Sequence, residues 1–300
     1  MSIAIRSWNA GEVNALRALA RHPSLQREFE LLQGRGLDQR LADAYNLESL
    51  RRLATLDGRD AGFAFTFVVP TLDGLLAVVR IGVVAEARRR GVGRALLESS
   101  VEGLRSAAPE CRLVSLGATL PNDGAGAFAD RMGFLPVRRF WLMERRDHSI
   151  PPPEWPSGTS VEPFRDRREL SRWVDVFNRS WREHWHGVLA READFSRQLE
   201  SGAVSADGMH FARAGDADVG FVRLTLHESR GEIAVVGVIP EWRRRGLGQA
   251  LLRFGGRWLL DHGARRVTLT VDGENERALS LYRKERYEVV ETRQVWERGI

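Results

Sequence analysis

Two Arg-run-plus-glycine elements recur in the 300-residue chain, Arg88-Arg89-Arg90-Gly91-Val92-Gly93-Arg94 and Arg243-Arg244-Arg245-Gly246-Leu247-Gly248-Gln249, spaced by 155 residues (88 to 243). Each follows an apolar run and precedes an amphipathic helical pattern, which puts the glycines at a strand-to-helix junction. A helix N-terminus carries unpaired N–H groups and partial positive charge, so a run of arginines there is unfavourable unless an anion sits among them. Glycines at alternate positions remove side chains that would hold a phosphate off the backbone N–H groups, and they allow the angles such a cradle needs. The chemistry is diphosphate binding, twice over. A dinucleotide fingerprint would need a third glycine where Leu96 and Leu251 stand, and a P-loop would need Gly-Lys-Ser or Gly-Lys-Thr, so NAD and ATP are disfavoured.

The elements that must position these loops repeat as well. With 43% hydrophobic and 28% charged residues, the chain can bury two ordinary cores. The proline-rich stretch 149–158 suits neither helix nor central strand and reads as a linker between domains at 1–148 and 159–300. The first half reads as a short strand at 3–6, helices at 13–32 and 41–47, and strands at 51–56, 62–69 and 75–84. The second reads as a strand at 160–164, helices at 168–177 and 191–199, and strands at 210–213, 219–226 and 232–239. After its glycine element comes a helix to about 262 that stops at Gly263, a strand alternating Val267, Leu269 and Val271, and a short helix from Asn275. Each half is thus a mixed, mostly antiparallel α/β sheet flanked by helices.

The formal net charge of +5 comes almost wholly from arginine, since Lys284 is the only lysine, and acidic residues share the same segments. This argues for local anion sites and against a nucleic-acid surface. Cys111 is the only cysteine, so no intrachain disulfide forms. With no leader pattern and no long apolar span, a cytoplasmic protein without a membrane partner is expected; nothing indicates its oligomeric state. His184 and His186 lack the spacing of a metal site, and none is expected.

The paired loops resemble the acetyl-CoA pyrophosphate loop of the GNAT acetyltransferase superfamily. The stretch from Asn275 through Ala278 and Leu281-Tyr282 to Arg286-Tyr287 is similar to that superfamily's second signature, with Arg286-Tyr287 in place of its usual Gly-Phe. The first half has Asn122, Ala125, Phe128, Gly133 and Phe134 in matching places, at a constant spacing of 153 residues (122 to 275, 134 to 287). The resemblance covers essentially the whole chain. It implies two tandem GNAT-like domains and an acetyl-CoA cofactor, one for each domain. The implied cofactor contacts are Val83 and Arg88 to Arg94 in the first half, and Val236, Val238, Arg243 to Gln249, Asn275 and Ala278 in the second.

The halves differ where chemistry would lie. Tyr282 corresponds to Ala129 at the spacing of 153, and Glu232 corresponds to Ala77 at the spacing of 155. Acetyl transfer to an amine needs a group to take the ammonium proton and one to protonate the leaving thiolate. Glu232 suits the first task and the phenol of Tyr282 the second, although either would also serve as an ordinary strand-start or core residue. The stretch around Glu232 resembles the catalytic half of the mycothiol synthases, tandem GNAT enzymes that acetylate the cysteinyl amine of a pseudodisaccharide. That resemblance implies Glu232 as base, Tyr282 as acid, and a first half that binds CoA without catalysing. Thr270 stands where the family is expected to have an aromatic substrate contact. Trp181, Glu183 and His184 lie where GNAT-like folds place a substrate lid, and suit a polar, ring-bearing amine. The expected activity is N-acetylation of a small-molecule amine; the alternatives are another acyl-CoA or acceptor, or a CoA-binding sensor without turnover.

Overall fold

The computed structural model describes residues 2–8, 10–26 and 45–300, and divides into two compact units, Met1–Val137 with Gln294–Ile300, and Arg138–Arg293. The proline-rich stretch 149–158 lies within the second unit.

The first unit runs β1 (Ile3–Ser7), α1 (Val13–Ala20), α2 (Pro23–Gln26), β2 (Arg52–Leu56), β3 (Arg59–Thr71), β4 (Gly74–Val83), α3 (Val92–Ala107), β5 (Leu113–Leu120) and α4 (Asp123–Arg131). The single helix expected over 13–32 breaks after Ala20, because Pro23 supplies no N–H and disfavours a helical residue before it. Residues 27–32 and 41–44 of the expected helices lie outside the described residues; Asn46 forms a bridge to Phe67. Strands β1 to β4 pair antiparallel in sequence order. Then β4 and β5 pair in parallel only through Leu76, Ala77 and Val78 with Leu113, Val114 and Ser115. Apolar residues cover both faces: Trp8, Leu16, Leu53, Phe63 and Phe65 in one cluster, and Leu97, Leu104, Val114, Phe134 and Trp296 in another.

The second unit takes up the chain within β6 (Leu135–Arg145) and continues β7 (Thr159–Pro163), α5 (Leu170–Trp181), α6 (Glu192–Glu200), β8 (Met209–Ala214), β9 (Ala217–His227), β10 (Arg230–Val238), α7 (Leu247–Asp261), β11 (Arg266–Asp272), α8 (Glu276–Lys284) and the start of β12 (Glu288–Gly299). Strands β7 to β10 are antiparallel neighbours, and β6 lies antiparallel to β11. Between them β10 and β11 run parallel from Arg230 to Ile233 against Arg266 to Leu269. The core centres on Trp173, fully buried, with its ring 5.0 Å from Phe221 and 5.4 Å from Phe211.

Helices α3 and α7 have the same origin. Each presents a buried stripe at helical spacing, Val92, Leu96, Leu97, Val101 and Leu104 in one and Leu247, Leu251, Leu252 and Leu259 in the other. Each begins just after a glycine at φ 88°, Gly91 or Gly246, in the left-handed region. Two residues earlier Arg89 and Arg244 also sit at positive φ, 58° and 62°. Alternating hand in this way turns successive backbone N–H groups to one side and makes an anion-binding concavity. Replacing Gly246 by Ala, whose Cβ crowds the following carbonyl at positive φ, should cost ~1–2 kcal/mol in urea unfolding. Gly246→Asn should cost less, because asparagine tolerates that region.

Candidate functional site

The sequence brings the end of β10, the Arg-Gly turn, the start of α7 and the N-terminus of α8 around one cleft of about 640 Å³ in the second unit. Its walls include Glu183, His184, Val236, Val238, Arg243, Arg244, Gly246, Gly248, Gln249, Asn275, Ala278 and Tyr282. Of the other predicted site residues, Glu232, Arg245, Leu247, Trp181 and Thr270 are not among its lining residues. Leu247 is fully buried in the core, and Arg245 lies over the Trp242 ring at 4.8 Å. Trp181 is stacked between Phe177 (5.5 Å) and His184 (4.1 Å), and Thr270 is exposed on β11 opposite Leu142 of β6.

The first unit has a matching cavity of about 980 Å³, lined among others by Val83, Arg88, Arg89, Gly91, Gly93, Arg94 and Asn122. Arg90 and Val92 are not in its lining, and Val92 is core.

The first arginine of each run is committed to the protein. Arg243 donates from Nε to the Val238 carbonyl (3.1 Å), from Nη2 to the Ser180 carbonyl (3.1 Å) and from Nη1 to the Glu183 carboxylate. Arg88 donates from Nε to the Val83 carbonyl (3.0 Å) and from Nη2 to the Ser24 carbonyl (2.8 Å). Both tie the turn to the strand before it and to an earlier helical segment, so they shape the cradle from behind. The Gln249 amide donates to Glu285, which also accepts from Arg253 at 3.1 Å. Asn275 and Asn122 are helix caps, each accepting through Oδ1 from the N–H three residues on, at 3.1 Å.

Tyr282, 8% exposed, lines the cleft from α8, and burial pushes its pKa up to about 12. The phenol therefore keeps its proton at neutral pH. Ala129 stands at its counterpart in the first unit and lines that cavity. At the carboxylate, a bulge makes Ala77 the wrong counterpart of Glu232. The β9–β10 register shifts between Ile233 and Val235, a bulge that adds a residue to β10. In the parallel pairs Glu232 faces Thr268 and Val78 faces Ser115, so Val78, and not Ala77, occupies the place of Glu232. A Cβ at Gly231 would meet Leu259 at 2.9 Å, and Ile233 reaches Gly255; both face α7, so Glu232 projects from the opposite face. There its Oε2 lies 3.5 Å from Nε2 of His227. Burial raises the Glu232 pKa, but contact with His227 and the charges of Arg230 and Arg223 outweigh it and hold the carboxyl below its ordinary range.

Sequence reasoning missed the far rim of the cleft, where Arg138 lies over the Trp185 ring at 5.0 Å and pairs with Asp272 at 3.6 Å and with Glu274. Arg138 enters on β6, which no motif marks. Burial and then the charge of Arg243 lower the pKa of His184, and the hydrogen bond from Arg243 lowers that of Glu183. Among the described residues no group of three or more His, Cys, Asp or Glu side chains is arranged to hold a metal, and no helix is long and apolar enough to cross a membrane.

Residues 16–134 and 170–286 each match the acetyltransferase (GNAT) family. The chain belongs to that family. It is an acyltransferase with two tandem GNAT domains, and members of the family generally draw their acetyl group from acetyl-CoA. It is 31% identical to the mycothiol acetyltransferase of Catenulispora acidiphila over 242 residues, covering 78% of this chain and 76% of that protein. It is 35% identical to the mycothiol acetyltransferase of Actinosynnema mirum over 239 residues, covering 78% of each. Among solved structures it is similar to a GCN5-related N-acetyltransferase from Sphaerobacter thermophilus, with a TM-score of 0.77 and 21% identity over 99% of this chain and 95% of that one. A tandem GNAT protein from the clavulanic acid biosynthesis pathway gives a TM-score of 0.74 at 17% identity, covering 99% and 98% of the two chains. These last two likenesses concern the fold.

The engaged arginines give a testable contrast. Arg243→Ala removes three charge-assisted hydrogen bonds from the GNAT turn and should destabilise the second domain by ~1.5–3 kcal/mol in urea titration. Arg245→Ala, which removes only a stacked surface guanidinium, should leave the midpoint within ~0.5 kcal/mol of wild type.

Proposed function

We propose that the chain transfers an acetyl group from acetyl-CoA to the primary amine of a small polar molecule, with the chemistry in the second domain. The observation that carries this reading is the grouping of the cradle, the Asn275 cap and the buried Tyr282 phenol on one cleft, against Ala129 at the same place in the first domain. Acetyl-CoA supplies an acetyl group activated as a thioester. The backbone N–H groups after Arg244 and Gly246 would hold its diphosphate, with the Arg244 side chain beside them. A Cβ at Gly248 would stand 3.9 Å from both Leu281 and Val238, so glycine keeps open a wall that a larger side chain would fill.

In this reading Tyr282 holds the proton that the departing sulfur needs, and Glu232 takes the proton the amine must lose. Glu183 and His184 stand at the cleft as acceptor contacts, with Trp181 behind them as the ring on which His184 stacks. Because the relatives are mycothiol acetyltransferases, a cysteinyl amino sugar is the first acceptor to test. The first domain, with its own Gly91 and Gly93 turn, is assigned a second CoA site without turnover.

Tyr282→Phe should lower kcat by roughly 10²- to 10⁴-fold while the KM for acetyl-CoA stays within about threefold, measured by loss of thioester absorbance under saturating acceptor. Since the phenol titrates at about 12, the wild-type rate should show no alkaline loss from this group up to pH 10. Wild-type rates in Tyr282→Phe would remove the acid role, and no turnover of any amine would leave a CoA-binding sensor. Calorimetry with CoA should show two sites, one lost in Gly93→Val and the other in Gly248→Val. A single site insensitive to Gly93→Val would withdraw the first-domain assignment.

A further inference from the structure

Glu232 and His227 form a cross-strand pair outside the cleft lining. In the β9–β10 hairpin Glu232 stands opposite Thr225, and His227 is its diagonal neighbour two residues along β9, on the same face of the sheet. Their facing atoms are 3.5 Å apart, and the side chains are 29% and 22% exposed, so the pair has access to water. At the matching places in the first domain Val78 stands opposite Phe67, and Val69 is the diagonal residue. Both polar groups are therefore absent from the domain that also lacks Tyr282.

This geometry has a consequence for proton transfer. A carboxylate held below its ordinary range takes a proton from an amine only in passing, and an imidazole in contact with it can receive that proton and pass it to water. We propose that His227 is the proton carrier of the reaction, receiving at Nε2 the proton that Glu232 takes from the acceptor and releasing it to solvent. The proposal rests on the reading of Glu232 as the proton-accepting side of the second domain. The balance is complete: an acceptor ammonium loses one proton to solvent by this route. Its nitrogen loses a second as the C–N bond forms and the C–S bond breaks, and that second proton equals the one gained by the CoA sulfur. Glu232 ends each cycle ionised and His227 neutral.

The charged groups flanking the pair are Arg223 on β9, Arg230 at the start of β10, Arg266 opposite Arg230 on β11, and Glu228 in the turn. Arg230 and Arg223 favour the ionised carboxylate of Glu232. His227 must be neutral to receive a proton, so the rate falls as pH falls through its titration. Without the imidazole its protonation no longer limits the rate, and the acid limb moves down.

The test compares the pH dependence of kcat/KM for the full chain and for His227→Asn and Glu232→Gln, with the cysteinyl amide of glucosamine as acceptor. His227→Asn should lower kcat roughly tenfold or more and shift the acid limb at least one pH unit lower. A loss of rate with the limb unmoved would mean that His227 is structural, and an unchanged rate and limb would likewise overturn the proposal. If Glu232→Gln runs at wild-type rate, the reading of Glu232 itself fails; if Glu232→Gln is impaired and His227→Asn is not, the relay alone fails. A second arm needs no acceptor. Histidine resonances followed by NMR should show the His227 imidazole signals displaced in Glu232→Gln, where the carboxylate 3.5 Å from Nε2 is gone. Unchanged signals would show that the two side chains are not in contact and would overturn the relay.

Discussion

The turn that leads from β4 into α3, and from β10 into α7, needs a backbone that accepts left-handed angles and something that holds it in place. In both domains Gly91 or Gly246 supplies the angle, φ 88°, and the first arginine supplies the hold. Arg88 and Arg243 each reach back to the carbonyl of the last strand residue, Val83 or Val238, and across to a helical segment. The helices α3 and α7 can then pack their apolar stripes onto the sheet while keeping their N-termini open to the cleft.

The second constraint is the brevity of the parallel pairing. β10 meets β11 only as far as Ile233 opposite Leu269, and β4 meets β5 only through Val78. Beyond those points the strand continues toward its glycine turn along its other neighbour, β9 or β3. The second domain adds a bulge at Ile233/Val235, which changes the face on which later residues point. Glu232 therefore lies on the face away from α7, while Val238 approaches Gly248 at the start of α7.

The loop after α5 is tied from two sides. Glu183 pairs with Arg243 of the turn, and Trp185 lies beneath Arg138, which is itself paired with Asp272 and Glu274. The Arg-Gly turn and the loop after α5 thus share the guanidinium of Arg243.

By itself the sequence determined the repeated strand–turn–helix units, because glycine at positive φ and helical apolar stripes are local properties. It also determined the contrast between Tyr282 and Ala129, since a fixed spacing along one helix survives folding. The equivalence of Glu232 and Ala77 did not survive, because a bulge is set by strand pairing and adds a residue that counting along the chain cannot detect. Arg243 read as a phosphate ligand by its charge, yet only packing decided that its N–H groups go to Val238, Ser180 and Glu183. Strands β6 and β12 carry no motif, and their membership in the compact units, with Gln294–Ile300 in the first and Arg138 onward in the second, depends on non-local pairing. The juxtaposition of His227 with Glu232, and of Arg138 with Trp185, is of the same kind: cross-strand and cross-loop distances are fixed by register, which only the tertiary structure supplies.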